Sequence, residues 1–231
     1  MLKAINLNKK YDNHTALHCL NIALNEGEVY ALLGQNGAGK STTINIFLGF
    51  VKPTSGEAFI NGRSVTENPQ LIKKDIAYIP ETVMLYPELT GIENLDFFSQ
   101  IAGFSYTQKE LINFLILTGL QEVAHYRKLK EYSKGMRQKV GIAIAVAKNA
   151  KVLFLDEPTS GLDPIATSEF NELICKLGRE GKTIFMATHD IFNATKVSTK
   201  IGIMKQGKLI QQLDSKDFTP DELQELYMKT I

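Results

Sequence analysis

The sequence has no stretch of about 20 consecutive apolar residues, the length a membrane-crossing helix needs. Its longest candidate, Val140–Ala147 (VGIAIAVA), is too short and fits a buried helix better. The first residues, MLKAINLNKKY, contain no apolar signal region. The chain is therefore expected not to span a membrane. Neither sign of charge is in excess: 26 Lys and Arg against 25 Asp and Glu leave a net charge of +1. That argues against the basic face of a dedicated nucleic-acid binder. Cysteine is scarce. Cys19 and Cys175 lie far apart and form no CxxC pair, so they read as reduced, buried thiols of a cytosolic protein rather than a disulfide or a metal site. Internal repeats, low-complexity tracts and Pro/Gly/Ser-rich linkers are absent as well.

What is present is an ordinary globular composition, 44% apolar and 22% charged over 231 residues, enough for one generous domain or two small ones. The first 30 residues alternate, as at Leu20, Ile22 and Leu24 before the turn Asn25-Glu26-Gly27, which predicts antiparallel strands. Val29–Leu33 is instead a continuous apolar run ending in glycine, and Lys151–Leu155 and Thr183–Ala187 repeat it. Strands apolar on both faces belong in a parallel sheet covered by helices, so the fold class expected is α/β.

Residues of about 90–150 read as an all-helical insert. Thr90 with Glu93 and Thr107 with Glu110 form capping boxes, and the helices they open run to Gly103 and Gly119. A third helical stretch follows Leu120. Near the end, Gly202–Gln212 predicts a hairpin turning at Gln206-Gly207, and Thr219–Glu222 caps a short terminal helix.

The chemistry begins at Gly34-Gln35-Asn36-Gly37-Ala38-Gly39-Lys40-Ser41, which fills the pattern G-x-x-x-x-G-K-[ST] after an apolar strand and before a helix bearing Ile44, Phe47 and Leu48. Glycines let the backbone turn its N–H groups around phosphate oxygens, and the helix presents its positive end. Lys40 would reach the β- and γ-phosphates of ATP, and the Ser41 hydroxyl would ligate Mg²⁺. A chance match in a chain of this length has odds of about one in a hundred. The strand Lys151–Leu155 runs into Asp156 and Glu157. Asp156 would hold the magnesium, mostly through water, and Glu157 would polarise the attacking water. Ser133, before the helix through Val140–Ala147, reads equally as an ordinary N-cap.

The order of these segments decides more than any one of them. A phosphate loop, a helical insert, the segment Tyr132-Ser133-Lys134-Gly135-Met136-Arg137-Gln138, the Asp-Glu strand and then a strand ending in His189 together resemble an ATP-binding cassette (ABC) ATPase over essentially the whole chain. The resemblance implies a P-loop NTPase (RecA-like) parallel-sheet core, an N-terminal antiparallel β-subdomain and the helical insert, in a single domain spanning 1–231. It implies that Ser133 and Gly135, which match the family signature, bind the γ-phosphate of ATP held by a second subunit, whereas Tyr132, Lys134 and Met136 depart from the common form. Ser160-Gly161-Leu162-Asp163 is similar to the loop that crosses the dimer interface, although Asp163-Pro164 is also a good N-cap and first helical residue. His189 resembles the histidine that contacts the γ-phosphate. Tyr11 resembles the aromatic that stacks on adenine, against the alternative that it closes the small β-subdomain. Glu81, ending the strand Asp75–Ile79, stands where the family usually has glutamine, and a carboxylate there could ligate Mg²⁺.

The implied sites are thus catalytic residues Lys40, Glu157 and His189, a nucleotide cradle of Tyr11, Gly34, Gln35, Asn36, Gly37, Ala38, Gly39, Lys40, Ser41, Thr42, Ser133 and Gly135, and magnesium ligands Ser41, Asp156 and Glu81. The implied partners are a second ATPase subunit, identical or a paralogue, and a membrane permease on a separate chain. The implied place is the cytoplasmic face of the cell membrane, peripherally bound. The segment Pro80–Leu95 resembles the branch serving drug, polysaccharide, lipid and copper-associated exporters. Two alternatives are a non-transport ABC ATPase of the DNA-repair or ribosome-associated type and a non-hydrolysing scaffold. The compact insert, the neutral charge and the intact Lys40, Asp156, Glu157 and His189 weigh against both.

Overall fold

Antiparallel pairing starts the chain, as the alternation through Leu24 predicts. In the computed structural model, which describes residues 1–231, β1 (Leu2–Tyr11) pairs with β2 (His14–Leu24). The chain continues through β3 (Val29–Gly34), α1 (Lys40–Phe47), β4 (Ser55–Ile60), β5 (Arg63–Ser64), α2 (Pro69–Asp75) and β6 (Ile76–Ile79). Then come the helices α3 (Gly91–Ile101), α4 (Gln108–Leu117), α5 (Glu122–His125) and α6 (Lys134–Ala147). The last part holds β7 (Val152–Asp156), α7 (Pro164–Arg179), β8 (Thr183–Thr188), α8 (Ile191–Val197), β9 (Lys200–Lys205), β10 (Lys208–Asp214) and α9 (Pro220–Thr230).

The strands form two sheets. One is antiparallel, in the order β2-β1-β4-β5; the other runs β10-β9-β3-β8-β7-β6. In the second sheet every pair from β9 to β6 is parallel, and β10 closes its edge antiparallel to β9. All six residues of β3 and all six of β8 are buried, as their continuous apolar runs require. Alternate residues of β3 serve opposite faces. Tyr30 and Leu32 face a core shared with α1 and the antiparallel sheet, where Phe47, Phe154 and Phe185 pack ring against ring. Val29, Ala31 and Leu33 face a second core covered by α7, α8 and α9. Each such leucine or phenylalanine contributes roughly 1.5–3 kcal/mol through burial.

The helical insert has a core of its own, around Leu95, Leu111, Leu115 and Leu120. Its capping boxes form as the sequence predicts: the side chains of Thr90 and Thr107 accept from the Glu93 and Glu110 amides, and those carboxylates reach back to the threonine N–H groups. Helix α6 belongs to two cores at once. Val140, Ala143 and Ala147 pack into the insert, whereas Ile142 and Ala145 pack against the parallel sheet.

The structure departs from the sequence reading at three places. Asp75 closes α2 instead of opening β6. Helix α2 itself, seven residues starting at Pro69, is too short to show a period. Cys19 is exposed, not buried, and Cys175 is only half-buried. Irregular pairing between β1 and β2 causes the first of these thiol differences. Asn6 and Cys19 both adopt positive φ, +46° and +47°, so the strict two-residue alternation breaks and Cys19 turns outward among the amides of Asn6 and Asn21.

Candidate functional site

The carboxyl ends of β3, β7 and β8 lie side by side, because Leu33 pairs with Thr188 and Asp156 with Ala187. Open α/β sheets bind ligands at this edge. The loop 35–39 leaves β3 there and feeds α1, whose first residue is Lys40. Gly37 and Gly39 hold φ of +81° and +108°, which other residues rarely adopt. A Cβ on Gly39 would lie 2.6 Å from the Ala16 carbonyl oxygen and 2.8 Å from Met204 Cε, whereas one on Gly37 would meet nothing within 4 Å.

Lys40 is only 6% exposed. Its Nζ donates to the Gly34 carbonyl at 2.7 Å and lies 3.5 Å from Glu157 Oε1. A buried ammonium needs such partners, and here they hold it at the mouth of the loop. Glu157 is itself constrained. Its φ of +45° is unusual for a side chain with a Cβ, and its amide donates to the Ala187 carbonyl at 2.8 Å. Its Oε2 accepts from Thr188 Oγ1 at 3.1 Å and from the His189 amide at 3.3 Å. His189 Nδ1 stands 2.9 Å from the same oxygen, a contact that requires the proton on Nδ1. Backbone strain of this kind concentrates at working sites.

Asp156 is half-buried, and burial pushes its carboxyl above the usual carboxylate range. A hydrogen bond from Ser41 and the charge of Lys40 lower it, while the charges of Glu157 and Glu81 raise it. The cleft of about 450 Å³ therefore carries surplus negative charge beside a hydroxyl. It is lined by Tyr11, Gln35, Asn36, Gly37, Gly39, Lys40, Ser41, Thr42, Glu81, Asp156 and Glu157, and also by His14 and Ala16. Sequence reasoning missed the last two. The signal was the short connection between β1 and β2, which pairs Tyr11 with His14 and brings both to the loop. Tyr11 is 41% exposed at the cleft edge, with Lys9 Nζ 4.6 Å from its ring centre.

A family model described as "ABC transporter" matches residues 17–160. The chain belongs to the ABC transporter family. It is 36% identical over 231 residues to the lantibiotic transport ATP-binding protein SrtF of Streptococcus pyogenes, covering 100% of this chain and 97% of SrtF. The bacitracin transport ATP-binding protein BcrA of Bacillus licheniformis is 36% identical over 92% of this chain and 69% of BcrA. Among solved structures, an ATP-binding subunit of an ABC transporter superposes with a TM-score of 0.86 at 30% identity, covering 99% of each chain. A dimeric ATP-binding cassette in a post-hydrolysis state, bound to ADP and Pi, gives 0.82 at 29% identity over 94% of this chain and 100% of that one. This chain is thus an ATP-binding cassette with ATPase activity, and its α/β core with two flanking subdomains is the fold of those neighbours.

Four of the expected nucleotide contacts of this ABC cassette do not line its own cleft: Gly34 and Ala38 are buried, and Ser133 and Gly135 belong to the start of α6. Ser133 is the exposed N-cap of α6, accepting from the Met136 amide at 3.2 Å, and Gly135 packs toward Leu162 and Ala166. Neither lines the pocket. Glu81 does line it, exposed at its rim. No helix is long and apolar enough to cross a membrane.

Proposed function

We propose that two copies of this chain, or one copy and a paralogue, close around two ATP molecules and drive a membrane permease carried on a separate polypeptide. The observation that carries the catalytic part is the clamp on Glu157. Three donors, from Thr188 and His189, fix one carboxylate oxygen while Lys40 faces the other. A base held this firmly can orient a water and accept its proton without losing time to rotamer search. Lys40 and the amides of Gln35–Ser41 hold the phosphates, and His189, with its Nδ1 against Glu157, is the γ-phosphate contact. Tyr11 offers the exposed part of its ring to the base, and Thr42 continues the cradle into α1.

The donor set fits magnesium. Ser41 and Asp156 supply hard oxygens, with Glu81 at the rim, and three carboxylates line the cleft against the single ammonium of Lys40. No three His, Cys, Asp or Glu side chains converge into a metal cage, as suits an ion that takes one or two carboxylates and completes its shell with phosphate and water. Bound there, Mg²⁺ would neutralise phosphate charge.

Ser133 and Gly135 support the two-copy arrangement because neither lines its own cleft and Ser133 is exposed at a helix N-terminus, where an anion is welcome. Serving the loop Gly34–Thr42 of a second copy would complete a site that one chain holds only in half. Relatives named for bacitracin and lantibiotic transport support export as the direction, with this subunit bound peripherally at the cytoplasmic face of the membrane. The test is Glu157→Gln. It should bind ATP and dimerise while losing about 10²–10⁴-fold in turnover, and hydrolysis at the wild-type rate would remove Glu157 from the role of base.

A further inference from the structure

Lys134 is the first residue of α6, and no acidic residue stands in the first turn. A helix N-terminus carries partial positive charge, so a lysine there is unfavourable unless an anion offsets it. The anion comes from another element. Lys134 Nζ lies 3.8 Å from Glu81 Oε1, and the same oxygen accepts from Ser160 Oγ at 3.0 Å. Glu81 follows β6, Ser160 lies between β7 and α7, and Lys134 opens the last helix of the insert. One carboxylate oxygen therefore joins three segments far apart in sequence. The Lys134 side chain also runs past Gly161, where an added Cβ would lie 3.8 Å from Nζ. Yet Glu81 lines the cleft with Lys40, Ser41 and Asp156. Its carboxylate has two calls on it, the start of α6 and the phosphate loop.

We propose that Lys134 is a positioning residue that, with Ser160, holds Glu81 toward α6 and neutralises it there. This rests on the nucleotide reading of the cleft. While the pair is made, the rim presents little net negative charge to incoming phosphates. Without Lys134, Glu81 is an unpaired carboxylate at the mouth of an anion site that already holds Asp156 and Glu157. Phosphate binding then depends more heavily on a divalent cation to offset the repulsion.

ADP is the probe, since it lacks the γ-phosphate that Ser133 and Gly135 are proposed to reach in a second copy. Its Kd is measured by titration calorimetry at fixed ionic strength, once in EDTA and once in MgCl₂. The proteins are wild type, Lys134→Met, Lys134→Arg, Glu81→Gln and the double variant Glu81→Gln/Lys134→Met. Both side chains are solvent-accessible, 32% and 54%, so folding is expected to survive, and melting curves without nucleotide check it. The expected result is about two- to fivefold weaker ADP binding by Lys134→Met in EDTA, the size of a surface ion pair. Magnesium should shrink the effect, and Lys134→Arg should restore wild-type binding. With Glu81→Gln in place, Lys134→Met should change nothing further. An equal loss in the Glu81→Gln background would overturn the proposal, because Lys134 would then act on phosphate directly. Failure of the wild type to bind ADP under either condition would instead sink the nucleotide reading of the cleft, and the positioning role with it.

Discussion

Gly37 and Gly39 are separated by one residue in the same loop, and replacing each with alanine should have clearly different consequences. Gly37 has φ +81° and open space around its missing Cβ, so Gly37→Ala should cost only backbone strain, about 1–2 kcal/mol. Gly39 has φ +108°, and its Cβ would stand 2.6 Å from a carbonyl oxygen of β2. Met204 Cε, 2.8 Å away, ends a flexible side chain and can move. The Ala16 oxygen gives less readily, because it is backbone held between two β1 pairs, Thr15 with Lys10 and Leu17 with Lys9. Strain of about 1–3 kcal/mol is then joined by an overpacking cost of about 1–3 kcal/mol. For a chain of this size each kcal/mol shifts the melting temperature by about 2–4 °C. Calorimetric melting should therefore place Gly37→Ala a few degrees below wild type and Gly39→Ala distinctly lower. Nucleotide titration should find both weakened, since both re-aim amides of the loop. If Gly39→Ala melts with or above Gly37→Ala, the claim that β2 and the loop are in rigid contact is wrong.

Further outcomes can be measured on the same footing. Phe154→Ala removes a ring that stacks on Phe47 and packs tilted against Phe185, and should cost about 3–5 kcal/mol in urea denaturation. Thr90→Ala removes one half of a formed capping box and should cost about 1 kcal/mol. Tyr11→Phe should retain ATP affinity and Tyr11→Ala should lose it severalfold in a binding titration, because the ring face and not the hydroxyl is offered to the base. At Glu28, burial raises the carboxyl, but hydrogen bonds from Lys200 and Asn25 outweigh it and hold the group below the usual carboxylate range. A lowered folded pKa means stability that is present above the unfolded value and lost as pH falls through the folded one. Glu28→Gln should therefore melt below wild type at pH 7, and the two curves should converge in acid once the pH has fallen through the lowered folded value.

Local rules made part of this molecule readable from its residues. Capping boxes at Thr90, Thr107 and Thr219 need partners only three residues away. The doubly apolar strands β3 and β8 announce burial on both faces, and the phosphate loop is a backbone shape that only its glycines permit. What escaped depends on contacts between distant segments. The outward turn of Cys19 follows from irregular pairing with β1, not from its neighbours in sequence. The positive φ of Glu157 is set by the anchoring of its amide to β8. His14 reaches the cleft only because a short connection returns β2 alongside Tyr11. The tie of Glu81 to Lys134 and Ser160 links residues more than fifty positions apart, and each of the three has a bland reading alone.

Helix α6 spends one face on the insert and another on the sheet, and this fixes its length as well as its place. With about 100° of rotation per residue, inserting a single residue between Ser133 and Ile142 would swing the capping serine and Gly135 a quarter-turn or more from the direction they now face, while the packing below stayed in register. The segment from 134 to 147 therefore works as a gauge, in which residue count is as much a part of the site as residue identity.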